Sequence, residues 1–235
     1  VIRSALNDSL VLDVNGGALN DGANIQIYAA NGSDAQGFYF AQTSYTPEAV
    51  DLAVPVYNQY SVGLPNGCES AALTNVLNYY GFGVGPCEMA DRWIPRSSWD
   101  FVWCFWGDPH SYNNGNEICA PGLNRAANNF LASRGSNLRS YDVSGTSLYN
   151  LCNYLDDGHP VIIWTTVHQG NVGNIYARQG GYFACSNSHT VVLKGYNPQT
   201  NKVMTSDTID GYTTYDRDWI AWVYQQRGAQ AVVIK

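Results

Sequence analysis

Leu64-Pro65-Asn66-Gly67-Cys68-Glu69-Ser70-Ala71-Ala72-Leu73 carries a loop into a helix and sets one cysteine at the junction. Beyond it, Leu73, Val76, Leu77 and Tyr80 fall at the i, i+3, i+4, i+7 spacing of a buried face. That spacing predicts a helix from Cys68 to near Gly81. A thiol at a helix N-terminus meets the partial positive charge of unpaired backbone amides. Such a placement favours thiolate, the nucleophilic form. With Cys68 as nucleophile, the chain has to supply a base, a group that orients the base, and a donor for a developing oxyanion.

A base that works near neutral pH is a histidine. The chain has His110, His159, His168 and His189. His189 alone begins a run of buried strand type, His189-Thr190-Val191-Val192-Leu193-Lys194-Gly195-Tyr196, where a rigid sheet would fix the ring. Asn197-Pro198-Gln199-Thr200-Asn201 is a turn. It folds Lys202-Val203-Met204-Thr205-Ser206-Asp207 back on that strand, and Asp207 returns close to His189. A carboxylate there can accept the Nδ1 proton and hold the ring. Asp210 is its rival. Gln59, in Pro55-Val56-Tyr57-Asn58-Gln59-Tyr60, is the candidate oxyanion donor, acting with the Cys68 amide; Asn58 is the alternative. Each residue also has a plainer reading: a core cysteine, a hydrogen-bonded sheet histidine, an aspartate that forms a turn. Their order and spacing favour the chemical one.

The rest of the second part is α+β. Residues 86–92 can form a short helix opened by Pro86, and 93–118 form a long ordered loop. Pro121 starts a helix that ends near Gly135. Thr146 or Ser147 caps another, which is stopped by Gly158. Val161-Ile162-Ile163-Trp164 is a buried strand, 216–227 are helical, and Ala231-Val232-Val233-Ile234 closes as a strand. Trp93, Trp99, Trp103 and Trp106 in the long loop either wall a cleft or fill a satellite core.

Composition sets bounds on the function. A net charge of −7 with only 12 lysines and arginines leaves no basic stripe, so nucleic acid is not an expected partner. No apolar run reaches the ~18 residues of a membrane span. The 6 cysteines contain no CxxC pair, which argues against a zinc site. Neither metal nor cofactor is expected. Abundant tyrosine and asparagine with scarce lysine fit a secreted protein. No signal peptide is read at the start, which suggests a mature product or a piece cut from something longer.

Residues 1–42 differ from the remainder. Val11-Leu12-Asp13-Val14, Ile25-Gln26-Ile27-Tyr28 and Phe38-Tyr39-Phe40 are strand candidates separated by Asn15-Gly16-Gly17 and Asn31-Gly32-Ser33. Residues 43–53 form a linker and 54–235 a second domain. Leu12-Asp13-Val14, Asp21-Gly22-Ala23-Asn24-Ile25-Gln26-Ile27-Tyr28, Asp34-Ala35-Gln36 and Phe38 together resemble one repeat of the ricin-type β-trefoil lectins. The resemblance implies sugar binding by Asp13, Gln26 and Tyr28. Ala35 and Phe38 depart from the sugar-binding pattern, and no second copy occurs downstream. The alternative is that Gln36 and Phe38 only build the repeat's core.

From about Val54 onward the chain resembles the C39-like peptidases, a papain-like group. Four stretches carry the match: Gln59 with Leu64 to Glu69; Trp106-Gly107-Asp108-Pro109; Gly158-His159-Pro160-Val161-Ile162-Ile163-Trp164; and His189 to Tyr196 leading to Asp207. Gln230 to Ile234 also fit. The resemblance implies a papain-like α+β fold, with helices followed by an antiparallel sheet. It further implies Cys68 as nucleophile, His189 as base, Asp207 as its orienter and Gln59 in the oxyanion hole. Ser206-Asp207-Thr208 stands where the family usually shows Asn-Asp-Pro. The expectation is a secreted or cell-surface bacterial cysteine peptidase acting on a peptide or protein, with a glycan as a partner of the N-terminal segment. The alternatives are an idle papain-like binding module, a glycan-binding adhesin fragment, or an amidase or transpeptidase using the same acyl transfer.

Overall fold

The structure, a computed structural model, describes residues 1–20, 22–38 and 48–235. Two compact units divide the chain, Val1–Thr46 and Pro47–Lys235.

In the first unit, strands β1 (Leu10–Val14) and β2 (Ile25–Ala29) pair antiparallel, with Leu10 opposite Ala29 and Val14 opposite Ile25. Gln36 is buried and ties the unit together. Its Nε2 donates to Asp13 Oδ2 at 3.1 Å and to the Ala29 carbonyl at 2.9 Å, and its Oε1 accepts the Asn31 amide at 2.9 Å. Gln36 therefore has the core role allowed for it. Phe38 lies in irregular backbone, while Tyr39 and Phe40 of the expected third strand lie outside the described residues. So do Asp21 and residues 43–47 of the expected linker.

The second unit contains, in chain order, β3 (Val50–Asp51), α1 (Cys68–Tyr79), α2 (Pro86–Glu88), β4 (Arg96–Ser97), β5 (Phe105–Trp106), α3 (Ala120–Ser133), β6 (Ser140–Asp142) and α4 (Leu148–Asp156). It continues with β7 (Val161–Thr166), β8 (Ile175–Gln179), β9 (Tyr182–Cys185), β10 (Ser188–Asn197), β11 (Lys202–Asp207), β12 (Gly211–Asp216), α5 (Arg217–Gln226) and β13 (Ala231–Ile234). A sheet of 7 strands runs β12-β11-β10-β7-β13-β6, with β3 beside β10, and every pairing in it is antiparallel.

The linker boundary needs correction at its C-terminal end. Val50 and Asp51 pair with Tyr196 and Gly195, and Leu52 packs against both cores. This pairing depends on glycine: a Cβ on Gly195 would meet the Val50 carbonyl oxygen at 2.3 Å.

The sheet is buried on both faces. Ile162 and Trp164 of β7 face a core built on α1 and α3, with Leu73, Val76, Leu77, Leu123 and Phe130. Val161 and Ile163 face a second core built on α4 and α5, with Leu151, Leu155, Ile220 and Tyr224. Alternation with period two thus feeds two layers of helix from one strand. Ser147 caps α4 by accepting the Asn150 amide, and Asp216 caps α5 by accepting those of Asp218 and Trp219. Both satisfy donors that the first turn leaves open.

The four tryptophans of the long loop separate. Trp93 packs edge-on to Phe130, ring centroids 5.4 Å apart, on the first core. Trp106 joins a satellite cluster with Phe101, Val102, Cys119 and Ala184. Trp99 and Trp103 are exposed. Core filling accounts for two of the four rings.

Candidate active site

Gly67 precedes α1, and Cys68 is its first residue. A Cβ on Gly67 would lie 2.8 Å from Leu64 Cβ, so the turn that delivers the cysteine requires the glycine's small size. Cys68 is buried, as are His189, Asp207 and Gln59.

His189 sits at the start of β10 and Asp207 at the end of β11. A bulge at Lys194 sets the register so that Asp207 lies opposite Val191. His189, two residues further along and on the same side of the strand, reaches it diagonally. The ring atom that faces Asp207 is Nε2, 2.8 Å from Oδ1, and not the expected Nδ1. The correction has a geometric reason: the ring enters from two residues along the strand, so its far nitrogen meets the carboxylate.

Asp207 serves the turn as well as the ring. The same Oδ1 accepts the amides of Ile209 at 2.8 Å and Asp210 at 3.2 Å. Burial alone would raise the pKa of this carboxyl. The His189 hydrogen bond and charge, with the two backbone amides, outweigh burial and hold it below the ordinary value. Asp207 Oδ2 is buried and, among the described residues, without a hydrogen-bond partner. Asp210, the rival, is instead 2.7 Å from His168 Nδ1 through its Oδ2.

Gln59 bridges the Asp207 turn and the loop that feeds Cys68. Its backbone amide donates to the Thr208 carbonyl at 2.8 Å, and its Oε1 accepts the Thr208 hydroxyl at 2.8 Å. Its Nε2 donates one hydrogen to the Pro65 carbonyl at 2.8 Å, which leaves the second N–H of the amide. Asn58 is committed to a turn: its Oδ1 accepts the amides of Tyr60 and Ser61, each at 3.0 Å, and its Nδ2 holds the Ile209 carbonyl.

The thiol's environment differs from expectation. Burial is the first influence, and it pushes Cys68 well above an ordinary thiol; the neighbouring Glu69 carboxyl adds to it. Cys68 Sγ donates to Glu69 Oε2 at 3.3 Å. The amide and hydroxyl of Thr190, the residue after His189, act in the opposite direction. The helix N-terminus is present, but desolvation and a like charge win over it. Among the described residues no hydrogen bond joins Cys68 to His189.

Sequence reasoning missed the polar cluster beneath the site. Glu117 and Arg227 form a fully buried ion pair. Ser188, the residue before His189, donates to Glu117 and accepts from Arg227 Nη2 at 2.8 Å. Glu69 Oε1 accepts the Ile118 amide at 3.1 Å. An acid directly ahead of the run of small and apolar residues Ser70-Ala71-Ala72-Leu73 was the available signal for Glu69. Arg227, just before Gly228, has the look of an ordinary solvated helix-end cation.

In the N-terminal unit, Asp13 is buried and Gln26 Nε2 donates to its Oδ1 at 2.8 Å. Tyr28 is exposed. All three line a cavity of about 960 Å³ together with Asn15, Asn31 and Asp34.

Residues 51–232 match the Peptidase_C39 like family. Uncharacterized protein YvpB of Bacillus subtilis (strain 168) is 29% identical over 195 residues, covering 80% of this chain and 76% of that protein. The crystal structure of a C39-like protein from Bacillus anthracis superposes with a TM-score of 0.71 at 24% identity, covering 80% of this chain and 98% of the other. Xylellain, a cysteine protease from Xylella fastidiosa, gives a TM-score of 0.46 at 15% identity, over 88% of this chain and 94% of its own.

Proposed function

Because the chain belongs to the Peptidase_C39 like family, we propose that it is a cysteine peptidase whose reaction runs through Cys68, His189, Asp207 and Gln59. One observation carries the reading. His189 Nε2 is held by the buried carboxylate of Asp207 at 2.8 Å.

His189 Nδ1 takes the Cys68 proton as the sulfur attacks a peptide carbonyl. The imidazolium that forms is stabilised by Asp207. The negative oxygen of the tetrahedral adduct is met by the free N–H of the Gln59 amide and by the Cys68 backbone N–H, one of the open donors of α1. His189 then gives its proton to the departing amine. Water, deprotonated by the same ring, releases the acyl group and restores the thiol.

The test is cleavage of a mixed peptide library between pH 5 and 9, read by mass spectrometry. The expectation is wild-type cleavage that Cys68→Ala and His189→Ala both abolish, and a trapped thioester on Cys68. Cleavage that survives Cys68→Ala, or a wild type that cuts nothing while keeping its fold, would overturn the reading in favour of an idle binding module.

A second reading concerns the N-terminal unit: glycan binding in the cavity beside Tyr28. It is favoured by an exposed ring next to two polar side chains in one hollow. Calorimetric titration with simple sugars tests it; heat that Tyr28→Ala removes supports it, and no heat from any sugar rejects it. A secreted or cell-surface bacterial location fits both readings, and secretion assays on the source cell would decide it.

A further inference from the structure

The Cys68 thiol has a second neighbour able to take its proton, and that neighbour is not the histidine. Glu69 is wholly buried. One of its oxygens is fixed by the Ile118 amide at 3.1 Å, which turns the other toward Cys68 Sγ at 3.3 Å. His189 is meanwhile tied through Nε2 to Asp207. The sulfur's hydrogen bond goes to the acid beside it and not to the ring.

We propose that Glu69 is a positioning residue for the nucleophile: its buried carboxyl, anchored by the Ile118 amide, competes with His189 for the Cys68 proton, holding the thiol when ionised and releasing it to the ring when neutral. This inference rests on the peptidase reading above.

The surroundings favour a carboxyl that titrates in the working range. Burial, and then the charge of Glu117, push Glu69 up to about 8, against the pull of the Ile118 amide and of the Cys68 hydrogen bond. Cys68 on its own helix donates to it, the charge of Glu117 ahead of α3 acts on it, its own charge reaches Cys119 and Tyr176, and Arg227 bears on it through its pair with Glu117. Below that range Glu69 is neutral and His189 has no rival for the proton. Above it, the carboxylate accepts the thiol's hydrogen and opposes a second negative charge alongside. The consequence is a thiol whose reactivity climbs less steeply with pH through that range than an ordinary thiol's does.

The experiment is native alkylation of Cys68 with iodoacetamide from pH 6 to 9.5, followed by peptide mapping, in the wild type and in Glu69→Gln. Near pH 6.5 the two rates should agree. Above pH 8 the variant should pull ahead, reaching about tenfold for each unit by which the Glu69 charge raises the thiol. The same divergence should persist in a His189→Ala background, which separates it from titration of the ring. A ratio that stays flat with pH overturns the proposal. Should Glu69→Gln fail to fold, the wild type alone decides: the ratio of iodoacetamide to iodoacetate rates should climb through about pH 8 as the carboxylate repels the anionic reagent, and a flat ratio refutes it. Peptide cleavage by the wild type, and its loss in Cys68→Ala, is scored separately. The peptidase reading and the role of Glu69 can therefore fail independently.

Discussion

Replacing Arg227 with methionine removes a buried cation and leaves its partner in place. Arg227 is fully buried, paired with Glu117, and donates to Ser188 Oγ and to the Phe183 carbonyl at 3.1 Å. Its guanidinium also lies 4.9 Å from the centroid of the Phe183 ring. Glu117 Oε1 has no hydrogen-bond partner among the described residues even in the intact protein. With Arg227→Met, the Ser188 hydroxyl is all that remains on the other oxygen. Breaking one side of a buried pair typically costs about 3–5 kcal/mol, because a charge is stranded away from water. For a domain of this size that corresponds to a fall in Tm of about 10 °C. Methionine keeps the stem's volume, so lost packing contributes little. Differential scanning calorimetry at pH 7 measures the loss. The double variant Arg227→Met, Glu117→Leu removes the stranded charge as well, and should recover more than half of it. A single variant within about 1 kcal/mol of wild type would refute the reasoning. So would a double variant no more stable than the single one, since the cost would then lie in shape and not in charge.

Other predictions bear on the same framework. The Glu69 carboxyl, raised from 4.5 to about 8 by burial and by Glu117, keeps its proton in the folded chain where the unfolded chain has lost it. Its stabilising contribution is complete below about pH 4.5 and is lost as pH rises to about 8, by an amount on the order of 5 kcal/mol at most. Urea titrations at pH 5, 6.5 and 8 should show this fall in wild type and a flatter profile in Glu69→Gln. Asp207 has the opposite sign: its pKa is held below the ordinary value, so its stabilisation is present at neutral pH and is lost as pH falls below the usual carboxylate range. Asp207→Asn should remove that acid-side loss in melts between pH 2 and 5, and should lower kcat by about a hundredfold or more by releasing the ring. Phe130→Ala, which empties a ring from the core between α3 and the sheet, should cost about 3–5 kcal/mol in denaturant titrations without shifting KM.

Much of this architecture is legible in the sequence, for identifiable reasons. The helix from Cys68, the capped helix after Ser147 and the strands flanking residues 197–201 each have a periodicity or a cap that local chemistry dictates. β6 is three residues long, and β12 alternates around Tyr212 and Tyr215 with little apolar content. The β8–β9 hairpin is largely half-exposed or exposed. Such strands exist because a neighbour offers an edge, and no local pattern announces that. The site follows the same division. His189 and Asp207 can be paired from the turn between them. The bulge at Lys194 shifts the register of β10 on β11 and no local pattern announces it, so the choice of Nε2 over Nδ1 was hidden. Glu117 and Arg227 were hidden as well, since each looks like a solvated charge until packing closes around it.

The two-sided burial of β7 has a consequence for how the sheet finds its alignment. Where one face of a strand is wet, a slip by one residue exposes the apolar set and is rejected for that reason. In Val161–Thr166 every residue is buried, so a slip only exchanges one oily side for another. Hydrophobicity therefore leaves the phase of this strand almost undetermined. The discrimination falls to shape and to single polar fastenings. Trp164 fits the side where its indole N–H reaches the Ile118 carbonyl at 3.0 Å, and further along the next strand Gly195 leaves the room that β3 needs beside β10. The centre of the sheet is thus greasy in composition and aligned by a tryptophan, which acts as a locating pin in an otherwise featureless joint.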